Sequence, residues 1–404
     1  MTTPQTAGTP ASDRRPYLML GLATVGFALT FWAWALLSPL GAHFKQSLGL
    51  SSFQQALLVA VPVIVGALGR IPVGALTDRY GGRIMFPVVS FATIAPVLFL
   101  GLAGYKSLTA LLAGGFFLGL AGTSFAVGVP FVNAWFPAAR RGMAIGVFGM
   151  GMGGTAISAL TTVKLTDHLG IQAPFLIVAG ALAAYGIIAA GVLRDAPDRP
   201  VPSQPALSRL AATLKLSITW QAAALYAVGF GGFVAFSVYL PTYLKNAYLL
   251  TQADAANKMA GFVLLAVLMR PVGGWLSDRV APARVLTGAF AVVAVAAIVQ
   301  SLTPTLAPAG TAAFLVMAAA LGAAAGAVFA LVAQRAPAQQ VGVVTGVVGA
   351  AGGLGGFVPP LVMGGIYGAS GSYAWGLLAL AAVAACAMTY SFSTSGQRVR
   401  SRVA

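Results

Sequence analysis

The sequence predicts an all-α membrane protein with twelve transmembrane helices in two pseudo-symmetric six-helix bundles. Three observations support this fold class. First, 59% of the 404 residues are hydrophobic and 7% are charged, whereas a soluble domain carries about 25% charged residues. Second, long uncharged runs recur along the chain, and a helix needs about 20 apolar residues to cross a bilayer. Third, short motifs of the first half return in the second half at one constant spacing.

The uncharged runs set the predicted spans. These are 17–41, 53–76, 84–104, 108–136, 139–163, 172–193, 217–244, 257–277, 284–302, 308–334, 338–367 and 371–393. A polar segment rich in Pro and charge, 195–216, is the predicted cytoplasmic linker. It separates an N-terminal bundle from a C-terminal bundle, and a short tail precedes and follows them: tail 1–16, bundle 17–194, bundle 217–393 and tail 394–404. No segment alternates polar and apolar residues as barrel strands do, which excludes an outer-membrane barrel.

The basic residues predict how the chain is oriented. The net charge of +16 comes from Lys and Arg in short loops, so it does not indicate a nucleic-acid surface. If the twelve spans are right, sixteen basic residues fall on the side of both termini and the linker, and five fall on the other side. The five are Lys45, Lys106, Lys164, Lys245 and Lys258. The positive-inside rule therefore places both termini and the linker in the cytoplasm, in a multi-pass protein of the inner membrane.

An internal repeat supports the two bundles. In the first motif pair, five residues recur 200 positions later: Arg70, Gly74, Leu76, Asp78 and Arg79 match Arg270, Gly274, Leu276, Asp278 and Arg279. In the second pair, Gly146, Val147, Gly149 and Gly153 match Gly346, Val347, Gly349 and Gly353 at the same offset. Span two therefore corresponds to span eight, and span five to span eleven, as expected for a parallel duplication.

Arg70 and Arg270 are the strongest candidates for a binding site. Each lies eight positions before the Asp of its loop motif, which places it about 12 Å from the helix end, near the middle of the hydrocarbon layer. An Arg at that depth costs at least about 2.5–3.5 kcal/mol. The chain contains no Glu, and its seven Asp residues fall in tails, loops or helix ends. We therefore expect an anionic substrate between the two guanidinium groups; the alternative is bonding to backbone carbonyls or snorkelling.

Glycines on spans five and eleven are the predicted lining of the substrate path. The four at matching positions are Gly149, Gly153, Gly349 and Gly353. Small residues let membrane helices approach closely, so tight packing is the alternative role.

The loops after spans two and eight share the pattern G-x-x-x-D-R. Their residues form the predicted cytoplasmic gate: Gly74, Asp78, Arg79, Arg83, Asp278 and Arg279. Charged groups of both signs at helix ends indicate either a simple membrane anchor or a salt-bridge latch that breaks and reforms between access states.

These motifs resemble the major facilitator superfamily and, within it, the nitrate/nitrite porter family. The resemblance covers nearly the whole chain and includes GxxxDRxGGR, GTSFAVGVPFVNAWFP at 122–137, RRGMAIGVFGMGMGGTAIS at 140–158 and GVVGAAGGLGGFVPP at 346–360. It implies that Arg70 and Arg270 clamp the anion and that aromatic rings sandwich it. Tyr226 and Phe230 occupy the matching places on one face of span seven. Span five lacks the Asn that family members often carry there, and Asn133 on span four is a possible substitute.

The resemblance implies a secondary transporter that moves nitrate, nitrite or both by alternating access. Two midplane cations without a carboxylate favour nitrate/nitrite exchange, and proton-coupled uptake remains the alternative. Another small anion, such as cyanate or a carboxylate, is an alternative substrate. A sensor on a transporter scaffold would need a larger cytoplasmic segment. We expect a monomer in membrane lipid that binds no nucleic acid, metal or cofactor, and no set of residues indicates an enzyme.

Overall fold

A computed structural model of the chain describes residues 14–197, 199, 206–337 and 341–395, which form helices joined by short turns. The α-helices are α1 (Arg15–Trp34), α2 (Leu37–Leu48), α3 (Ser52–Leu68), α4 (Arg70–Tyr80), α5 (Gly82–Leu102), α6 (Leu108–Leu118), α7 (Ser124–Trp135), α8 (Ala138–Gly149), α9 (Gly154–Leu169), α10 (Ala173–Val192), α11 (Ala206–Leu214), α12 (Ser217–Tyr248), α13 (Gln252–Arg279), α14 (Pro282–Ser301), α15 (Thr311–Arg335), α16 (Val341–Gly355), α17 (Val358–Ser370) and α18 (Ala374–Ser395). Short 3-10 segments at Gly104–Lys106, Gly119–Thr123 and Met150–Gly153 and a π-type turn at Leu306–Gly310 connect some of them. The predicted all-α fold is confirmed.

Twelve helical stretches are long and apolar enough to cross a membrane, as predicted. They are spans one to twelve: Arg15–Leu48, Ser52–Tyr80, Gly82–Leu102, Leu108–Trp135, Ala144–Leu169, Ala173–Val192, Ser217–Tyr248, Gln252–Ser277, Pro282–Ser301, Leu306–Val332, Val343–Ser370 and Ala374–Ser393. The segment 193–216 joins spans six and seven, and we call its side of the molecule the linker end and the other side the far end. The predicted tails lie largely outside the described residues.

Span one ends later than the sequence indicated. The uncharged run stops near residue 41, but α2 continues through Lys45 to Leu48. The helix ends where Gly49 adopts a left-handed conformation with φ 65°, the usual role of glycine after a helix. A polar last turn is compatible with a membrane helix because Lys45 extends from the helix end toward the interface.

Spans two, four and five are interrupted part-way along their length. Span two breaks at Gly69, between α3 and α4, because Pro72 has no N–H to donate to the carbonyl of Leu68. Spans four and five each pass through a 3-10 segment, at Gly119–Thr123 and at Met150–Gly153. Mid-helix 3-10 turns often mark a functional hinge.

Glycines bring the helices of one bundle into backbone contact. A Cβ on Gly66 of span two would lie 3.2 Å from the carbonyl oxygen of Gly119 on span four. Gly154 of span five packs against the backbone of span one, and a Cβ there would meet the carbonyl of Ala28 and lie 2.8 Å from the nitrogen of Trp32. In lipid, where apolar surface gives little drive for association, such close packing stabilises the bundle.

The two bundles meet at the far end through buried polar contacts. The hydroxyl of Ser38 on span one donates to the carbonyl of Val238 on span seven at 2.6 Å. The amide of Gln55 on span two donates to the hydroxyl of Thr242 at 3.1 Å. The side chain of Gln252, at the start of span eight, donates to the carbonyl of Pro39 at 2.6 Å. We call this set of contacts the far-end seam, and it closes the far side of the interface.

The packing of span five on span one predicts different costs for two adjacent glycines. Gly154→Ala should destabilise the protein by about 1–3 kcal/mol, because the new Cβ meets backbone atoms that cannot move cheaply. Gly153→Ala is the matched control, since no atom lies within 4 Å of its Cβ position. Thermal unfolding of the purified variants in detergent measures the difference. Equal melting temperatures would contradict the packing.

Candidate functional site

Arg70 and Arg270 lie on spans that face each other across the bundle interface. Arg70 is the first residue of α4, directly after the break at Gly69, and only 7% of its surface is exposed. Arg270 lies inside the continuous helix α13 and is half-buried. The two guanidinium groups are near enough for their charges to repel each other. The structure therefore brings together the two residues that the repeat singled out.

Arg70 reaches from the N-terminal bundle into the C-terminal bundle. Its Nε donates to the carbonyl of Gly122 on span four at 3.3 Å. Its Nη1 donates to the carbonyl of Gly349 on span eleven at 2.7 Å. Both acceptors are neutral, so they satisfy hydrogen bonds of the guanidinium but leave its positive charge in place.

Arg270 makes the reciprocal crossing. Its Nη2 donates to the hydroxyl of Tyr226 on span seven at 3.0 Å. Its Nη1 lies against the sulfur of Met152, in the glycine-rich stretch of span five. A thioether is a weak acceptor, so this donor is held less firmly than the donors of Arg70. Each Arg thus contacts the glycine-rich stretch of the opposite bundle.

The ring of Phe230 lies beside both guanidinium groups. The guanidinium carbon of Arg70 is 5.8 Å from the ring centroid, and that of Arg270 is 5.2 Å from it. Tyr226 stacks on Phe230 with centroids 4.8 Å apart and an interplanar angle of 8°. Phe125 on span four lies 5.3 Å from Arg70. These cation–π contacts stabilise the two cations without neutralising them.

Neither Arg70 nor Arg270 has a carboxylate partner among the residues that the structure describes. Their contacts are carbonyls, a phenol, a thioether and aromatic rings. Two repelling cations among neutral groups create a positive potential, which attracts an anion strongly because the surroundings have a low dielectric constant.

A small cavity lies on the far-end side of Arg70, at the junction of the bundles. The room inside it for the centre of a water-sized sphere is about 10 Å³, close to what one water molecule needs, and it lies between residues of spans one, two, four, seven and eleven. Its walls are Phe31, Trp34, Val63, Gly66, Ala67, Arg70, Gly122, Phe230, Val234 and Gly353. Arg70 is the charged residue among these walls, so the cavity suits a small anion better than a cation.

The glycines of span five divide between two faces. Gly151 packs on Phe27, whose side chain would lie 2.7 Å from an added Cβ, and Gly154 packs on span one. Gly149 and Gly153 face open space, with no atom within 4 Å of the Cβ position. The glycines of span five thus differ in their surroundings, and a role of Gly149 and Gly153 in lining the substrate path stays a prediction.

On span eleven, both faces of the glycine-rich stretch are in contact with neighbours. Gly352 packs against the rings of Tyr226 and Phe230, whereas Gly349 and Gly353 face the N-terminal bundle. An added Cβ on Gly349 would lie 3.9 Å from Nη1 of Arg70, and one on Gly353 would lie 2.7 Å from Cβ of Ala67. Gly353 thus allows spans two and eleven to touch beside the cavity.

Asn133 lies in the last turn of α7, two residues before the helix end. It follows Gly122 by eleven residues toward the linker end, which is about 16 Å along the helix. That it replaces the missing Asn of span five stays a prediction.

Two neighbours of the arginines were missed in the sequence. Met152 and Phe125 carry no charge or hydrogen-bonding group that marks them as site residues. Both do lie in motifs with other features, GMGMGG and GTSFAVG, on the interrupted stretches of spans five and four. Only the fold shows that these stretches cross beside Arg270 and Arg70.

Comparisons with known proteins identify the family. Residues 23–360 match the Major Facilitator Superfamily, and a second match covers 223–402. The chain is 50% identical over 374 residues to the probable nitrate/nitrite transporter NarK2 of Mycobacterium tuberculosis, covering 92% of this chain and 95% of that one. The chain belongs to the nitrate/nitrite porter family of the major facilitator superfamily. It is a transporter and not an enzyme.

Other relatives agree with this assignment. The nitrite extrusion protein of Bacillus subtilis is 34% identical over 372 residues, covering 92% of each chain. The probable nitrate/nitrite antiporter NarK1 of Thermus thermophilus is 33% identical over 382 residues, covering 85% of this chain and 84% of that one. Among solved structures, a bacterial homologue of the human lysosomal transporter Spinster superposes with a TM-score of 0.74 at 19% identity, covering 95% of this chain and 98% of that chain. This last likeness concerns the fold alone.

In this porter, the G-x-x-x-D-R loop after span two binds the linker. Asp78 forms an ion pair with Arg209 of α11 at 2.8 Å. Arg199 donates to the carbonyls of Asp78 at 2.6 Å and Arg79 at 3.3 Å. Asp195 accepts from the backbone N–H of Arg83 at 3.1 Å. We call these contacts the linker latch.

Apart from Asp78, the described side chains of the predicted gate residues do not form the ion pair of the linker latch. The side chains of Arg79 and Arg83 are exposed, and Arg79 lies over Tyr80 at 5.3 Å. In the second repeat, Arg279 lies over Trp275 at 4.1 Å, and the side chain of Asp278 is outside the described part of the structure. Gly74 lies near Ala126, 3.9 Å from an added Cβ. The two repeats thus share a motif, and among the described side chains the ion pair with the linker belongs to the first repeat.

The linker latch predicts a local effect of breaking one ion pair. Asp78→Asn and Arg209→Gln should each speed tryptic cleavage after the exposed Lys215 by up to about fivefold, since a surface ion pair contributes up to about 1 kcal/mol. Arg83→Gln should leave the rate unchanged, because the latch uses only its backbone N–H. The charge-swapped pair Asp78→Arg with Arg209→Asp should restore protection. No change in either single variant would exclude the latch.

Proposed function

We propose that the chain moves nitrate and nitrite across the cytoplasmic membrane by alternating access, with the anion held between Arg70 and Arg270. The observation that carries the proposal is a pair of mutually repelling guanidinium groups, flanking Phe230 and without a carboxylate in the described structure. The printed names of the relatives support nitrate and nitrite as substrates.

The chemistry of the two side chains suits a small planar oxyanion. A guanidinium offers parallel N–H donors in a fixed fork, and the oxygens of nitrate or nitrite can accept two of them from one side. The weakly held Nη1 of Arg270 is the donor that an anion displaces most easily, because Met152 offers only a thioether. Phe230 provides an apolar face against which a flat anion can lie.

The contacts across the interface suggest how occupancy couples to bundle movement. Arg70 contacts Gly349 and Arg270 contacts Met152, so each cation bonds to the bundle that it does not belong to. An anion that reduces their repulsion favours closure of the bundles around it. The open faces at Gly149 and Gly153 leave room for the bundles to rock.

The coupling that we propose is exchange of nitrate against nitrite. Without an anion, two like charges remain near the middle of the membrane, which disfavours return of the empty carrier. The intramembrane site contains no carboxylate or His among the described residues, so an ordinary proton carrier is missing there. Proton-coupled uptake is the alternative mode of coupling, and the flux experiment below distinguishes it from exchange.

The proposed orientation follows the positive-inside rule. Both termini and the linker are cytoplasmic, in a monomer made of bundles 17–194 and 217–393. The linker latch then lies on the cytoplasmic side and the far-end seam on the opposite side of the inner membrane.

Replacing each guanidinium group by a lysine ammonium group tests whether the anion binds between Arg70 and Arg270. Arg70→Lys and Arg270→Lys should each weaken nitrate uptake into proteoliposomes by at least about tenfold, because Lys keeps the charge but loses the paired donors. The matched control is Arg83→Lys, since that side chain is exposed at the linker end. A near-normal rate in both site variants would refute bidentate recognition.

Counterflow distinguishes the coupling modes. With nitrate outside and nitrite inside, we expect uptake of labelled nitrate that vanishes when internal anion is omitted, whatever the pH gradient. Uptake that needs only a pH gradient would establish symport instead. Competition by unlabelled cyanate or acetate in the same assay tests the substrate class, and stronger competition by either than by nitrite would contradict our assignment.

A further inference from the structure

A second pair of basic residues is related by the same repeat as the arginines. Lys45 lies in the last turn of α2, and Lys245 lies in the last turn of α12, 200 positions later. Both are half-buried at the far end of their spans. Nothing in the central site uses either residue.

The geometry of spans one and seven brings these lysines to the same seam. Ser38 donates to the carbonyl of Val238, so two repeat-related positions touch directly. Lys45 and Lys245 follow seven residues later, which is about two helical turns and returns to nearly the same face of each helix. Their charges are near enough to interact, as this placement requires.

The surroundings of Lys45 come from both bundles. Its Nζ donates to the hydroxyl of Ser52 on span two at 3.2 Å and lies 6.0 Å from the ring centroid of Tyr367 on span eleven. Neither lysine has a carboxylate partner within the described ranges. Asp254, the acidic residue in the first turn of span eight, has an oxygen engaged by the hydroxyl of Thr251 at 2.7 Å.

We propose that Lys45 and Lys245 form a superficial binding site for a small monovalent anion at the far-end mouth of the transporter. Two half-exposed ammonium groups that repel each other across a seam bind an anion because it offsets that repulsion. Such a site raises the local concentration of anion before it reaches the arginine pair. The hydrogen bonds of Ser38, Gln55 and Gln252 close the seam beside it.

An anion bound between the two lysines should also change the stability of the far-end seam. Repulsion between Lys45 and Lys245 opposes the closed seam, whereas the hydrogen bonds favour it. An anion between the lysines therefore stabilises closure at the far end. The proposal rests on the proposed function for the choice of nitrate as the probe and for the kinetic measurement below, whereas the labelling experiment needs no transport.

Protection from chemical labelling tests the site without transport. In the purified protein, sodium nitrate should slow acylation of Lys45 and Lys245 by an amine-reactive ester about threefold relative to sodium gluconate at equal ionic strength, as read by mass spectrometry. Lys106 is the control, since it is exposed at the same end in the turn between α5 and α6. Equal slowing at Lys106, or none at Lys45, would overturn the proposal.

Repeating the labelling with Arg70→Lys separates this site from the central one. Protection should persist in that variant, because the lysines bind the anion independently; its disappearance would reassign the effect to the arginine pair. Protection in a protein that fails to transport nitrate would leave the lysine site standing and refute the proposed function.

Kinetics provide the second measurement. Lys45→Gln with Lys245→Gln should raise the KM for nitrate offered at the far end about fivefold and lower its salt dependence. Lys106→Gln should change none of these. A KM that is unchanged in the double variant, or raised equally in the control, would contradict a specific role of the pair.

Discussion

The structure depends on two positive charges that the protein does not neutralise. Arg70 and Arg270 lie within the membrane-spanning part of the molecule, where an unpaired charge is costly. Their partners are two carbonyls, a phenol, a thioether and the face of Phe230. These groups make the buried cations tolerable while their charge stays available. A carboxylate in the same place would stabilise the protein more and would compete with an anionic substrate.

The glycine-rich spans five and eleven contact the two arginines, and the faces of each span have different surroundings. One face of each span packs tightly, as Gly154 does on span one and Gly352 does on Tyr226. The other face brings the opposite bundle's Arg close, or leaves space, as at Gly349 and Gly153. Tight packing and the proposed substrate path then use different glycines of span five. In the alternating-access cycle that we propose, each bundle would move as a body around a site that belongs to both.

The two ends of the molecule are built differently, although the chain is a repeat. At the far end, side chains of both bundles bond directly across the seam. At the linker end, Asp78 of the first repeat binds Arg209 of the linker. The repeat therefore accounts for the central pair of cations, and the contacts at the two ends differ. In the alternating-access cycle that we propose, each end would open and close through its own set of contacts.

The sequence alone determined the twelve spans, the two halves and the pair Arg70 and Arg270. Hydropathy, the placement of charged residues and the constant offset between the two repeats can each be read from the chain without knowing how the helices pack. It also predicted that Tyr226 and Phe230 share a face, which their stacking at 4.8 Å confirms. Only the tertiary structure decided which neighbours surround the two arginines: Met152 contacts Arg270, and Phe125 lies beside Arg70. Such contacts depend on how the spans cross, and no spacing along one chain encodes that crossing directly.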